Sequence, residues 1–177
     1  MIQYQDSMFE EFWALYTEAF PEQQRRKESQ QRDLIAFEKK YHLEMIDFEG
    51  KIVGFLAYWD LESFIYIEHL AIDKSMRGKG LGGKVVKEFT QKWDKEILLE
   101  VEPPTDEISK KRIDFYKDLG FHLNHFPFLQ PPYDPQYPQI PLLFMTYKQT
   151  YTRPAFSIFK TKLIYEVYKR KNYKTIR

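Results

Sequence analysis

Apolar positions recur along this chain first at helical spacing and then at strand spacing. Phe9, Trp13, Tyr16 and Phe20 stand at i, i+4, i+7 and i+11, which predicts one apolar helix face, and Pro21 stops that helix. Leu34, Phe37 and Tyr41 predict a second helix, and the polar, basic "EQQRRKESQQR" (22–32) before it reads as a solvated helix or loop. The period then changes. "HLEMIDF", "KIVGFLAYWD" and "SFIYIEHLAI" are strand-like runs separated only by Glu49-Gly50 and Leu61-Glu62, so they predict an antiparallel meander with tight turns. Leu81 to Trp93 reads as a helix with Val85, Val86 and Phe89 inward, and "EILLEVE" as a buried strand. "TDEISKKRIDFYKDLG" is a helix with a Thr/Asp start and a stop at Gly120. "FHLN" and "PLLFMTYK" supply two more strands. Phe156, Phe159, Leu163 and Val167 predict a last helix over about 155–170.

The order α-α-β-β-β-α-β-α-β-β-α predicts an α/β (α+β) fold. An antiparallel N-terminal half is followed by a crossover that brings in a parallel strand, giving a mixed sheet with flanking helices. The 177 residues suit a single domain over 1–177. The only biased segment is "PFLQPPYDPQYPQIP" (127–141), which carries Tyr133 and Tyr137. It reads as a stiff wall over a site, a polyproline ligand or a plain surface connection.

Composition narrows the function. Lys and Arg total 27 against 26 Asp and Glu, so no global field points to nucleic acid or an anionic membrane. The absence of Cys excludes disulfides, thiolate metal sites and a cysteine nucleophile. His122 and His125, three apart on an extended stretch, do not make a metal pair, so no metal is expected. "MIQYQDSMFEEFW" lacks the basic start and apolar run of a leader, and no apolar stretch approaches membrane-spanning length. The expected location is cytoplasmic.

The candidate chemistry centres on "RGKGLGGK" (77–84), which fits three phosphate-binding spellings. As a P-loop, G-x-x-x-x-G-K, it lacks the Ser or Thr that ligates magnesium, because the next residue is Val85. As the dinucleotide G-x-G-x-x-G it gains from Glu100, twenty residues after Gly80. It loses on the polar "DKSMR" between strand and loop, and on the meander where a parallel unit belongs. As R-x-x-G-x-G, with Arg77, Gly80 and Gly82, it is a coenzyme A pyrophosphate loop.

The third spelling carries a resemblance. "IEHLAIDKSMRGKGLGGKVV" is similar to the acetyl-CoA loop of the GNAT N-acetyltransferase superfamily. "RIDFYKDLGF" (112–121) resembles that family's later helix-to-strand segment, where a Tyr precedes L-G-F. The two anchors lie some thirty residues apart, as in the family, and the resemblance covers roughly residues 50–148. It implies a sheet in which two parallel strands, "YIEHLAI" and "ILLEVE", splay apart around acetyl-CoA as co-substrate. It further implies backbone contacts from Leu70, Ala71 and Ile72 to the pantetheine arm, and a pyrophosphate cradle from Arg77, Gly78, Lys79, Gly80, Leu81, Gly82, Gly83 and Lys84. Tyr116 falls where the family's general acid is found. Glu68 falls where many relatives carry a carboxylate base, with Glu100 and Glu102 on the facing strand; alternation predicts His69 on the opposite face from Glu68. In two positions the chain departs from the family pattern, with Ser109 and Arg112 where an Asn and a small residue are common.

The implied activity is acetyl transfer from acetyl-CoA to a primary amine, on a small molecule or a peptide. With no Cys for an acyl-enzyme, direct attack in a ternary complex is expected. The rival is a coenzyme A-binding sensor or docking module without turnover, and Tyr116 favours the enzyme, since a binding module needs no placed acid. No nucleic-acid or membrane partner is expected, and the last helix could serve a homodimer.

Overall fold

The computed structural model describes residues 1–168. Seven strands form one sheet: β1 (Ile2–Gln3), β2 (Tyr41–Phe48), β3 (Lys51–Asp60), β4 (Phe64–Ile72), β5 (Glu96–Val101), β6 (Phe121–Gln130) and β7 (Ile140–Tyr147), in the order β1-β2-β3-β4-β5-β7-β6. The meander β2–β3–β4 is antiparallel as expected, β4 and β5 are parallel, and β5, β7 and β6 are again antiparallel. The two-residue β1 pairs with β2 through Ile2 and Met45 and has no periodic signature in the sequence.

The helices are α1 (Phe9–Ala19), α2 (Glu28–Phe37), α3 (Leu81–Thr90), α4 (Glu107–Asp118) and α5 (Arg153–Leu163). They cover both faces of the sheet. On one face Phe12 and Tyr16 of α1, Leu34 of α2 and Phe156 and Leu163 of α5 pack against Phe55, Trp59, Tyr66 and Phe144. On the other, Val86 and Phe89 of α3 and Ile113 of α4 meet Leu56, Ile65, Ile97 and Leu99. Burying each such large apolar side chain stabilises the fold by roughly 1.5–3 kcal/mol.

Four elements differ from the expected bounds: α2 ends at Phe37, so that Tyr41 opens β2 instead of continuing the second helix, α3 stops at Thr90 short of Trp93, and β6 and the last helix depart as well. β6 continues to Gln130, through Pro127, because it is the edge strand and its register with β7 slips between Asn124 and Phe128. An edge bulge is where a strand tolerates a residue without an N–H. The last helix starts at Arg153 and opens after Leu163 into a π-helical turn, Ile164–Tyr168, that buries Val167 and Tyr168 together. Residues 169 and 170 of the expected helix lie outside the described residues.

Candidate active site

The parallel ladder between β4 and β5 is short. It joins Phe64 to Glu96, Ile65 to Ile97, Tyr66 to Leu98 and Ile67 to Leu99, and stops there. From Glu68 onward β4 is paired with β3 alone, while β5 continues its pairing with β7 through Val101. The sheet therefore forks, and the first residue past the ladder is a glutamate on each arm: Glu68 and Glu100.

A bulge sets the direction of Glu68. Ala57 of β3 faces His69 and Tyr58 faces Ile67, so Glu68 is one extra residue in β4. The extra residue breaks the alternation and puts Glu68 and His69 on the same face, with His69 Nδ1 3.7 Å from Glu68 Oε2. The expectation that His69 points away from Glu68 is corrected by this bulge.

Glu68 is fully buried and saturated. Arg26 forks onto it, Nη1 donating to Oε2 at 3.0 Å and Nη2 to Oε1 at 2.9 Å. Trp59 Nε1 donates to Oε2 at 3.0 Å and the Tyr133 hydroxyl to Oε1 at 2.9 Å. Four donations fill what a carboxylate accepts. Burial pushes this carboxyl up, but the Arg26 charge and the donations outweigh it and hold Glu68 below its ordinary value. Arg26 itself is 4% exposed and lies against the ring of Tyr133, 4.4 Å from its centroid. The solvated reading of 22–32 holds for most of the segment and is corrected at two positions. Arg26 and Gln31 are buried, Gln31 donating to the Tyr41 hydroxyl at 2.8 Å.

Glu100 is set differently. Its Oε2 accepts from Tyr66, Tyr168 and Gln130 at 3.0–3.1 Å. Its Oε1 is buried and has no partner among the described residues. Burial pushes the Glu100 carboxyl up to about 8, and the donations from Tyr168, Tyr66 and Gln130 do not cancel that push. The cavity at the fork is lined by both glutamates together with Phe20, Gln24, Ile140 and Leu142. At its mouth Arg112 pairs with Glu102, which also accepts from Gln24. His69, whose Nε2 meets Gln24 O at 3.2 Å, is pushed down to about 4 by burial and stays neutral.

The proline-rich connection is pinned over this face. Besides the Tyr133–Glu68 bond, Asp134 pairs with Lys27 at 2.6 Å and the Tyr137 hydroxyl donates to Glu22 at 2.8 Å. It is a tethered loop fastened to the segment between α1 and α2.

The glycine loop lies at the far end of β4. Gly80 has φ +73° and starts α3, and with no capping side chain it leaves the amides of Leu81, Gly82 and Gly83 without an intrahelical acceptor. Arg77 is steadied by its Nε donating to Ile72 O at 2.9 Å, and Lys79 and Lys84 are exposed. A Cβ at Gly82 or Gly83 would be in ordinary contact with Phe115 of α4 and, at Gly83, with Leu119 just beyond it. Leu70, Ala71 and Ile72 lie on the β4 arm that has no β5 partner. An open strand edge leading to uncapped amides and cations fits a long ligand with amide groups and a pyrophosphate, as acetyl-CoA is.

Tyr116 sits on α4, packed edge-on to Phe115 and Phe121 in the cluster on the α3–α4 face. Its hydroxyl makes no hydrogen bond among the described residues, and burial pushes it up to about 12, with Arg112 one turn away acting weakly in the other sense. The structure thus brings Glu68 and Glu100 together at the fork and places Tyr116 on the opposite face of the sheet. Ser109 serves its own helix, its amide bonded to the Asp106 carboxylate at 2.7 Å in a capping box. The residues that the sequence reading did not single out, Arg26, Trp59, Tyr66, Gln130 and Tyr168, come from five separate segments and share no short motif. Among the described residues no three His, Asp or Glu converge as a metal would require, and no helix is long and apolar enough to cross a membrane.

Known proteins share this architecture. A solved GNAT-family acetyltransferase from Bacteroides thetaiotaomicron, its activity assigned provisionally, is 28% identical, with a TM-score of 0.87 over 92% of both chains. Arabidopsis thaliana Naa50, solved with the bisubstrate analogue CoA-Ac-MVNAL, has a TM-score of 0.60 at 20% identity over 84% of this chain and 96% of that one. Bacillus subtilis YjbC, named provisionally as an acetyltransferase, is 41% identical over 68 residues, 37% of this chain and 35% of that protein's length. The Acetyltransferase (GNAT) family pattern matches residues 6–121, so the forked sheet, its glycine loop and its helix order have a common origin with it: the chain belongs to the GNAT acetyltransferase family.

Proposed function

We propose that this acetyltransferase is a one-domain enzyme that moves the acetyl group of acetyl-CoA to a primary amine, by direct attack within a ternary complex. The observation that carries the reading is the buried, unpartnered Oε1 of Glu100 in the cavity where β4 and β5 part. Once Glu100 is ionised, that buried oxygen lacks a donor, and an ammonium group brings three.

The residues divide the work by their surroundings. Glu100, with a carboxyl near 8, binds the ammonium and accepts its proton, since a base works best when its proton affinity matches the working pH. Glu68, expected from the family pattern as the base, has both oxygens occupied by Arg26, Trp59 and Tyr133, so its role is to hold the fork. The Arg77–Lys84 loop and the free arm of β4 seat the co-substrate, which supplies the thioester. Tyr116 donates a proton to the departing sulfur; as a phenol raised to about 12 it is protonated at every working pH.

The test is thiol release from acetyl-CoA over a panel of propylamine, spermidine, lysine and short peptides with free N-termini. Turnover of at least one amine is expected, rising as pH approaches 8. Glu100→Gln should lower it by about 10²–10⁴-fold while acetyl-CoA binding by calorimetry persists. Tight acetyl-CoA binding with no amine acetylated would establish the docking module instead.

A further inference from the structure

Two buried carboxylates at one fork raise a problem that the structure answers. Glu68 and Glu100 stand on adjacent arms, one residue past the same ladder, and both line the cavity. An incoming ammonium would be drawn to either. A base at Glu68 would attack from the other arm, and two uncompensated charges would compete for one proton.

Only one of them is compensated. Arg26 reaches Glu68 from the segment between α1 and α2 and binds both its oxygens. Three independent fixtures hold Arg26 there: its own amide donates to the Tyr16 hydroxyl at 3.2 Å, its guanidinium lies on Tyr133, and Lys27 beside it is tied to Asp134. No comparable cation reaches Glu100 among the described residues. The groups around it are Tyr66 and Glu68 from β4, Gln130 from β6, Tyr168 from the π turn, and, further along the cavity wall, His69, Glu102 and Arg112, the last two paired with each other.

We propose that Arg26 is a positioning residue for acetyl transfer: by closing Glu68 into an ion pair it keeps that carboxylate off the amine and reserves Glu100 as the single proton acceptor at the fork. This rests on Glu100 being the acceptor. Arg26 touches neither reacting group and acts through Glu68. Its charge also sets the proton affinity of Glu100, because the Glu68 charge next to Glu100 is felt only as far as Arg26 leaves it uncancelled.

The consequence is a pair of opposite shifts. Arg26→Met exposes the Glu68 charge and raises the pH at which Glu100 titrates. Glu68→Gln leaves the Arg26 cation without its counter-ion and lowers it. Each shift should be on the order of one pH unit, and the double variant should return close to the unsubstituted protein. The readout is the carboxyl carbon resonance of Glu100 in protein labelled with [13C]glutamate, assigned by its loss in Glu100→Gln. The same shifts should appear in the acidic limb of kcat/KM for the best amine of the panel above. A general loss of structure cannot give opposite signs.

Shifts in the same direction, or none, overturn the proposal. If Arg26→Met does not fold, Glu68→Gln alone decides, a fall supporting and a rise or no movement overturning. Full turnover in Glu100→Gln would remove the acceptor reading itself. Unmoved titrations beside an inactive Glu100→Gln would remove only the role of Arg26.

Discussion

Two glutamates of equal intrinsic acidity end up on opposite sides of neutrality within one cavity. Glu68 is held below its ordinary value by Arg26, and Glu100 is raised to about 8 by burial. Side-chain identity does not separate them; partners do. The sequence shows both residues and Tyr116, but it cannot show that Arg26, in a run of polar residues, folds inward to claim one of them. Nor does alternation survive the single inserted residue that turns His69 to the side of Glu68. The role of Tyr116 is testable at this scale. Tyr116→Phe removes only a hydroxyl that has no other partner among the described residues, so its packing on Phe115 and Phe121 persists. We expect turnover to fall by about 10²–10⁴-fold with acetyl-CoA affinity retained, because the proton matters as charge grows on sulfur. Stopped-flow thiol release paired with calorimetry checks it; undiminished turnover would remove Tyr116 as the acid.

Among elements, those with strong periodicity were legible to within about three residues. The meander, α3, β5, α4 and β7 follow from alternation, capping residues and glycine stops. The early end of the β4–β5 ladder followed only through family resemblance, because nothing in two apolar runs says where their pairing stops. The loop between β6 and β7 could be recognised as stiff, but not as fastened. Its three attachments, to Glu22, Lys27 and Glu68, fasten it over the fork, on the side where we propose that the amine enters. Replacing 131–138 by a Gly-Ser link of equal length should therefore raise KM for the amine by about tenfold or more, and leave KM for acetyl-CoA within about twofold. Steady-state kinetics with each substrate varied in turn separates the two; equal changes in both would mean that the loop only supports the fold.

For the whole molecule, the buried fork leaves a mark on stability against pH. Glu100 near 8 when folded, against 4.5 as a free side chain, retains a proton that the unfolded chain releases. Its contribution is intact below 4.5 and is lost as pH rises toward 8. His69, near 4 against 6.5, works in reverse, and its contribution is lost as pH falls from 6.5 toward 4. Above 6.5 the Glu100 slope stands alone among these two, at about 1.4 kcal/mol per pH unit, or about 2 kcal/mol between pH 6.5 and 8. Urea titrations at stepped pH should show that fall, and Glu100→Gln should flatten it; an equal slope in the variant would mean that Glu100 is ionised in the folded protein. The two sides of the fork also differ in how they are drawn from the chain. The free arm of β4, the glycine loop, β5 and α4 lie in one stretch, 68–118, which is why a motif could reveal them. The other side is assembled from Phe20, Gln24, Gln130 and Ile140, which line the cavity, and from Arg26, Tyr133 and Tyr168, which bond its two glutamates, spread over nearly the whole length. During synthesis the ribosome has released every residue of the first side some fifty residues before it releases Tyr168. A nascent chain thus carries the open strand edge and the glycine loop well before it can close the cavity, and the last of the described residues to arrive, in the π turn, bring the Tyr168 hydroxyl that donates to Glu100.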